Sequence, residues 1–220
     1  MTPAPKSRPG LRLCAIAGLV GLVAYCDFPL QWVIGSQLSP LRAYISELSV
    51  AGQHASLAFR ISDIAAGIGL AVLASVFATW RPTSGTRTGR AALTAAAVAS
   101  IVDGASPMTC APSIDQQCWT ADHAGLSTQL TQLHTISGLF GFSAVLIAIV
   151  SYSVALMHRP STRCFGAAGL TVATAAAALG GIEVGMILTA AGWTGLVERV
   201  QVCLISAWLA SLAICVLRSP

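Results

Sequence analysis

The chain has 220 residues, of which 55% are hydrophobic and only 9% are charged. Because a soluble domain carries roughly 25% charged residues, this composition excludes a globular protein exposed to water on all sides. The net charge of +4 comes from basic residues at the ends of apolar runs, which indicates orientation in a membrane rather than binding to nucleic acid.

Six apolar runs follow one another along the chain, each long enough to cross a hydrocarbon core about 30 Å thick. The segment at 1–10 is predicted to be a short cytoplasmic tail. The six predicted spans cover about 11–34, 57–80, 91–107, 129–157, 164–188 and 196–217. Segment 35–56 mixes polar and apolar residues, and we expect it to be amphipathic and to lie on the outer surface or cap the bundle. The predicted fold is a single all-α integral membrane domain of six helices.

The basic residues distinguish the two sides of the membrane. Nine of the twelve lie on one side of the predicted spans, namely Lys6, Arg8, Arg12, Arg81, Arg87, Arg90, Arg159, Arg163 and Arg218. Arg42, Arg60 and Arg199 fall on the other side, together with all eight Asp and Glu residues. Since cytoplasmic loops are enriched in Lys and Arg, both termini are predicted to be cytoplasmic.

Two of the seven cysteines lie in the longest predicted outer loop, at 108–128. Cys110 and Cys118 are eight positions apart, and an oxidising compartment would favour a disulfide bond between them. Two free thiols or two metal ligands are the alternatives for this pair.

Ionisable residues gather at the outer ends of the predicted spans. Asp103 lies roughly 20 Å above Arg90 at about 1.5 Å of rise per residue, some two-thirds of the way across the membrane. A carboxylate at that depth costs several kcal/mol unless it is paired, protonated or hydrated. The residues that we expect to form an outward-facing ligand site are Glu47, Asp63, Asp103, His134, Glu183, Glu198 and Arg199.

Two other interpretations fit these residues. Arg60 and Asp63 are three positions apart on one helix and are predicted to form an ion pair, so such pairs alone could hold the bundle together. Alternatively, His134 with the loop residues His54 and His123 and the carboxylates could bind Zn²⁺, whose bound water would attack an ester or amide. The sequence contains no HExxH motif to support a zinc site, and no GxxxxGK[ST] or GxSxG motif for ATP or serine chemistry.

Three short motifs in a fixed order resemble a known family. The first is YISELSVAGQH at 44–54, which enters a helix that carries Arg60 and Asp63. The second runs from Cys110 to His134, and the third is GLVER at 195–199. From about residue 15 to 217 the chain resembles the bacterial integral-membrane proteins of domain-of-unknown-function family 998.

The resemblance implies one six-helix domain of the bacterial inner membrane with no established activity. The recurring family positions correspond to Ser46, Glu47, Asp63, Asp103, His134, Glu198 and Arg199. We therefore expect a multi-pass membrane protein that binds or passes a small ligand, an ion or a lipid. A metal-dependent hydrolase acting on a membrane lipid, with zinc as its cofactor, and a structural membrane subunit are the alternatives.

Overall fold

The computed structural model describes residues 9–79, 83–122, 132–189 and 192–218. Its long helices are α1 (Pro9–Tyr25), α2 (Ser56–Ala78), α3 (Ser84–Ala105), α4 (Leu133–Met157), α5 (Arg163–Thr189) and α6 (Thr194–Arg218). Short helical turns lie at Leu30–Val33, Ile45–Ser49, Gln116–Asp122 and Pro160–Thr162. The residues that the structure describes contain no β-strand. The all-α prediction is therefore confirmed. Most of the predicted tail, Arg81, His123 and the predicted start of the fourth span lie outside the described residues.

Several helices have the length and hydropathy of membrane spans. In the described part of the chain four qualify, namely α2, α4, α6, and α5 together with the turn that precedes it. Helix α1 is apolar as well but has only 17 residues. Helix α3 contains Arg87, Arg90 and Asp103 and is less apolar. These helices identify a multi-pass membrane protein.

The six long helices pack in chain order around a common core. Each helix contacts the next one, and α6 also contacts α1 and α2, so the ring is closed. The core includes Phe77, Tyr152 and Leu209, all of them fully buried. The rings of Phe77 and Tyr152 meet edge to face with their centroids 5.2 Å apart, a favourable arrangement for two aromatic side chains.

Small residues bring neighbouring helices into close contact. A Cβ atom added to Gly21 on α1 would lie 2.5 Å from the Cα atom of Gly69 on α2. A Cβ atom on Gly141 of α4 would lie 2.9 Å from the Cβ atom of Ala99 on α3. Because lipid tails are as apolar as the helix surfaces, this close backbone packing is a main source of association between helices in a membrane.

Helix α1 ends at Tyr25, although the predicted span continues to 34. Pro29 explains the difference, since it has no N–H to donate and it disfavours a helical conformation at Phe28. The chain turns here, and the N–H of Leu30 donates to the carbonyl of Asp27 at 2.8 Å. Asp27 consequently lies beyond the end of the helix instead of in the middle of a span.

Helix α3 begins at Ser84, earlier than the predicted start at 91. Thr83 caps this helix, because its hydroxyl oxygen accepts a hydrogen bond from the N–H of Thr86 at 3.2 Å. Arg87 and Arg90, predicted to lie in a loop, are therefore helical residues at the end of α3 opposite to Asp103.

Candidate functional site

A loop covers one end of the bundle and is fixed to the first turns of α6. Segment 41–45, which leads into the short helix Ile45–Ser49, is the part of this loop that we call the cap. Its hydrogen bonds to α6 are Leu196 N to Leu41 O (3.2 Å), Thr194 Oγ1 to Arg42 O (2.8 Å), Arg199 Nη1 to Ala43 O (2.8 Å) and Ile45 N to Glu198 Oε2 (2.6 Å). A Cβ atom on Gly195 would clash with the carbonyl oxygen of Ala43, so glycine permits this close approach. The predicted amphipathic segment 35–56 thus contributes a tightly bound cap.

Glu47 joins the cap to the outer loop. Its side chain is fully buried and accepts hydrogen bonds from Tyr44 N at 2.9 Å, Ser113 N at 3.0 Å and Ser113 Oγ at 2.6 Å. Glu47 does not line the cavity described below. Its carboxylate therefore organises the loops, although the sequence analysis placed it in the ligand site.

A disulfide bond closes the described part of the outer loop, between Cys110 and Cys118. Asp115 lies between the two cysteines, and its Oδ1 atom accepts from the backbone N–H groups of Gln117 at 2.8 Å and Cys118 at 3.1 Å. These bonds cap the start of the short helix Gln116–Asp122. The carboxylate of Asp115 thus serves the local fold of the loop.

A polar cavity of about 60 Å³ lies beneath the cap. Four carboxylates and one histidine line it, contributed by the segment just after α1 and by α2, α3, α4 and α6: Asp27, Asp63, Asp103, His134 and Glu198. Tyr25, the last residue of α1, lines it as well. Ser46 and Ser49 of the short helix complete its polar wall. No Lys or Arg of the described residues lines the cavity. The fold therefore brings four carboxylates to one small space with a single histidine.

Asp103 is the best-partnered of these carboxylates. Its Oδ1 atom lies 3.2 Å from Nδ1 of His134, although the two are not aligned for a hydrogen bond. The hydroxyl of Ser137, one turn further along α4, donates to the same oxygen. A second cavity of about 50 Å³ lies deeper in the bundle and also has Asp103 in its wall. Asp103 thus stands between the polar cavity and a more apolar space.

Arg60 and Glu183, both predicted to take part in the site or its ion pairs, do not line the polar cavity. Arg60 does not form the expected ion pair with Asp63 in the described structure, and instead its Nε atom donates to the carbonyl of Gly104 at 3.0 Å. The last carbonyl groups of a helix have no partners within that helix, so the end of α3 offers acceptors that the guanidinium reaches. Glu183 is half-buried on α5 and does not line the polar cavity.

Arg199 points away from the polar cavity. Its side chain is only 6% exposed and donates from Nη1 to the carbonyls of Ala43 and Gly195, both at 2.8 Å. Adjacent residues on an α-helix diverge by about 100°, so Glu198 faces the cavity while Arg199 faces the opposite side of the cap. Arg199 therefore acts on Glu198 electrostatically but forms no salt bridge with a carboxylate of the cavity in the described structure.

The residues in the cavity do not form a zinc site. In the described ranges no three His, Cys, Asp or Glu side chains come within metal-binding reach of one point. Catalytic zinc commonly requires three protein ligands that include histidine, and only His134 lies in this cavity. The predicted participation of His123 lies outside the described residues.

Asp27 is the cavity residue that the sequence analysis left out of the predicted site. Its depth below the outer surface, which is similar to that of Asp103, was the available signal. The break in α1 at Pro29 moves the Asp27 side chain to the rim of the bundle, where it joins the other carboxylates.

A family model described as a protein of unknown function, DUF998, matches residues 15–215. That range includes the cap together with the four carboxylates and the histidine of the polar cavity. No curated protein and no solved structure shows significant similarity to the chain. Because the family model covers most of the sequence, the chain belongs to the DUF998 family of proteins of unknown function.

Proposed function

We propose that the protein crosses the bacterial inner membrane six times, with both termini in the cytoplasm. Four helices have the hydropathy of spans, and α1 and α3 would be the other two. Arg87 and Arg90 lie in the first two turns of α3, Arg159 lies between α4 and α5, and Arg163 begins α5. These arginines are at the helix ends opposite to the polar cavity, and the positive-inside rule assigns such ends to the cytoplasm. The cap and the cavity would then face outward.

We further propose that the polar cavity binds a small inorganic cation. The observation that carries this proposal is the composition of the cavity wall, in which Asp27, Asp63, Asp103 and Glu198 meet a single His134. A carboxylate removed from water is costly unless a positive charge or hydrogen bonds compensate it. When all four carboxylates are ionised, a protonated histidine offsets only one of the four charges. A cation that enters the cavity would compensate the remaining charge and compete with protons for the same carboxylates.

The size of the cavity limits what it can hold. A volume of about 60 Å³ has room for an ion with a few water molecules and is too small for a lipid head group. Hard cations such as Mg²⁺ or Na⁺ prefer oxygen ligands. Because no three of the described acidic or histidine side chains reach one point, the ion would contact at most two of them directly and the others through water molecules that it keeps, as Mg²⁺ commonly does. Ion binding thus agrees with the geometry better than metal-dependent lipid hydrolysis.

A purely structural role accounts for less of the site. That role predicts that Arg60 and Arg199 neutralise the carboxylates and leave no cavity. Arg60 instead donates to backbone carbonyls, Arg199 faces away, and the cavity remains open between the helices. The arginines hold the fold together, but they do not supply the charge that the cavity lacks.

The test is cation-dependent stability of the purified protein in detergent at fixed ionic strength. A bound cation present at 100 times its Kd stabilises the folded state by about 2.7 kcal/mol, which corresponds to a rise in Tm of roughly 5–11 °C for a chain of this size. We expect one cation from a panel of Na⁺, K⁺, Mg²⁺, Ca²⁺ and Zn²⁺ to give a saturable rise. Asp63→Asn and Asp103→Asn should abolish it.

Asp115→Asn is the matched control, because it removes an acidic group of the outer loop that lies outside the cavity wall, and asparagine can still cap the short helix that follows. It should retain the response of the wild-type protein. If no cation gives a saturable rise between pH 5 and pH 9, protons alone neutralise the carboxylates and the proposal is wrong.

A further inference from the structure

An apolar groove of about 560 Å³ runs along the outside of α6, on the other side of the cap from the polar cavity. Phe28 and Trp32 form one wall, and residues from Leu196 to Ala207 of α6 form the floor. At about 1.5 Å of rise per residue the floor extends roughly 16 Å along the helix, which is close to half of a hydrocarbon core about 30 Å thick. The groove therefore has the volume of a ligand site and the depth of one leaflet.

A buried arginine side chain lies in the wall of this groove. Arg199 lines it, is only 6% exposed and forms no ion pair with a carboxylate among the described residues. Its Nη2 atom lies 3.3 Å from Oε1 of Gln31, its guanidinium lies over the ring of Phe28, and its Nε atom has no partner. Glu47 and Glu198 act on this guanidinium electrostatically, but no carboxylate forms a salt bridge with it, so the position can accept an anionic ligand.

A second arginine, Arg42, is adjacent in sequence to a residue of the groove wall. Arg42 is exposed and follows Leu41, which lines the groove. The Nε atom of Arg42 is near the start of α6, since a Cβ atom on Gly192 would lie 3.6 Å from it. Arg42 also has no ion pair with a carboxylate of the described chain. Two arginines that form no salt bridge among the described residues thus lie near the outer end of the apolar groove.

We propose that this groove holds one acyl chain of an anionic phospholipid, with the phosphate group paired to Arg42 and Arg199. The arrangement matches a lipid in both charge and length, because Arg42 and Arg199 lie near the outer end of α6 and the apolar floor continues from there by about the depth of one leaflet. Arginine is well suited to phosphate, since its planar group donates two parallel hydrogen bonds. The assignment of this lipid to the outer leaflet rests on the proposed topology, whereas the lipid site itself does not.

The test is the retention of one lipid by the purified full-length chain, measured by native mass spectrometry in micelles that contain phosphatidylglycerol. Phosphatidylcholine with the same acyl chains is the comparison lipid. We expect saturable binding of one phosphatidylglycerol, at least tenfold tighter than phosphatidylcholine. Arg42→Gln and Arg199→Gln should each weaken it about tenfold, whereas Arg60→Gln, an arginine on the same side but outside the groove, should not.

A further variant separates lipid binding from folding, because Arg199 also holds the cap. Ala207 is exposed at the inner end of the groove, so Ala207→Trp fills the groove without disturbing the core. It should abolish lipid retention and leave cation binding in the polar cavity unchanged. Equal binding of both phospholipids, or retention of phosphatidylglycerol by Ala207→Trp, would show nonspecific surrounding lipid and overturn the proposal.

Discussion

The carboxylate of Glu47 is expected to determine the stability of the outer end of the bundle. Replacing Glu47 by Ala deprives the N–H of Tyr44 of its acceptor in a buried place, which costs about 1–3 kcal/mol. The two donors of Ser113 lie nearer the surface, where water can replace the carboxylate, so their loss adds about 1 kcal/mol. The expected total is about 2–4 kcal/mol, or a fall in Tm of roughly 4–16 °C for a chain of this size.

The assay is thermal unfolding in one detergent, followed by intrinsic fluorescence, for a graded set of variants. Glu47→Gln keeps one oxygen acceptor and loses the other, so its Tm should lie between those of the wild-type protein and Glu47→Ala. Ser113→Ala removes one hydroxyl donor at an exposed residue, and its Tm should fall by less than about 4 °C. If Glu47→Ala unfolds within 1–2 °C of the wild-type protein, roughly the effect of 0.5 kcal/mol, the reasoning from buried acceptors is refuted.

Three further results are expected. Gly21→Ala should lower the free energy of unfolding by about 1–3 kcal/mol, because its Cβ atom would lie 2.5 Å from Gly69. The control Gly181→Ala, whose Cβ atom would have nothing within 4 Å, should change the Tm little. Reduction of the disulfide between Cys110 and Cys118, which are eight positions apart, should lower stability by about 2–3 kcal/mol, measured as a fall in Tm that a Cys110→Ser variant reproduces without reductant. A green fluorescent protein fused to the C-terminus should fluoresce in cells and an alkaline phosphatase fused there should be inactive, whereas the opposite pair of results would place that terminus outside.

Much of the fold follows from hydropathy, because length and apolar content specify a membrane span almost completely. The predicted fifth and sixth spans agree with α5 and α6 within two residues at each end. The two large differences come from local chemistry that hydropathy does not register. Pro29 ends α1 early, and the hydroxyl of Thr83 starts α3 early in a polar stretch.

The candidate site is only partly predictable from the sequence. Residue spacing indicates how deep a side chain lies in the membrane, but it does not indicate which way that side chain points around its helix. Counting residues along each span places Asp63, Asp103, His134 and Glu198 in the outer part of the membrane, with Asp103 the deepest, and all four line one cavity. Direction around a helix is harder to infer in a membrane, since lipid and core are both apolar and no polar face marks the outside. The divergence of Glu198 and Arg199 around α6 can be read from their adjacency, but which of the two faces the cavity cannot.

One turn of α6 supports both proposed sites, and a single glycine tests whether they share the cap. Gly195→Ala would place a methyl group against the carbonyl oxygen of Ala43 and displace the cap, to which Glu198 and Arg199 both bind. We expect this variant to weaken cation binding and phospholipid binding severalfold in the same two assays. Gly185→Ala on α5, whose added Cβ would have nothing within 4 Å, should leave both unchanged. If Gly195→Ala affects only one ligand, the two sites are independent, and the cap is not their common support.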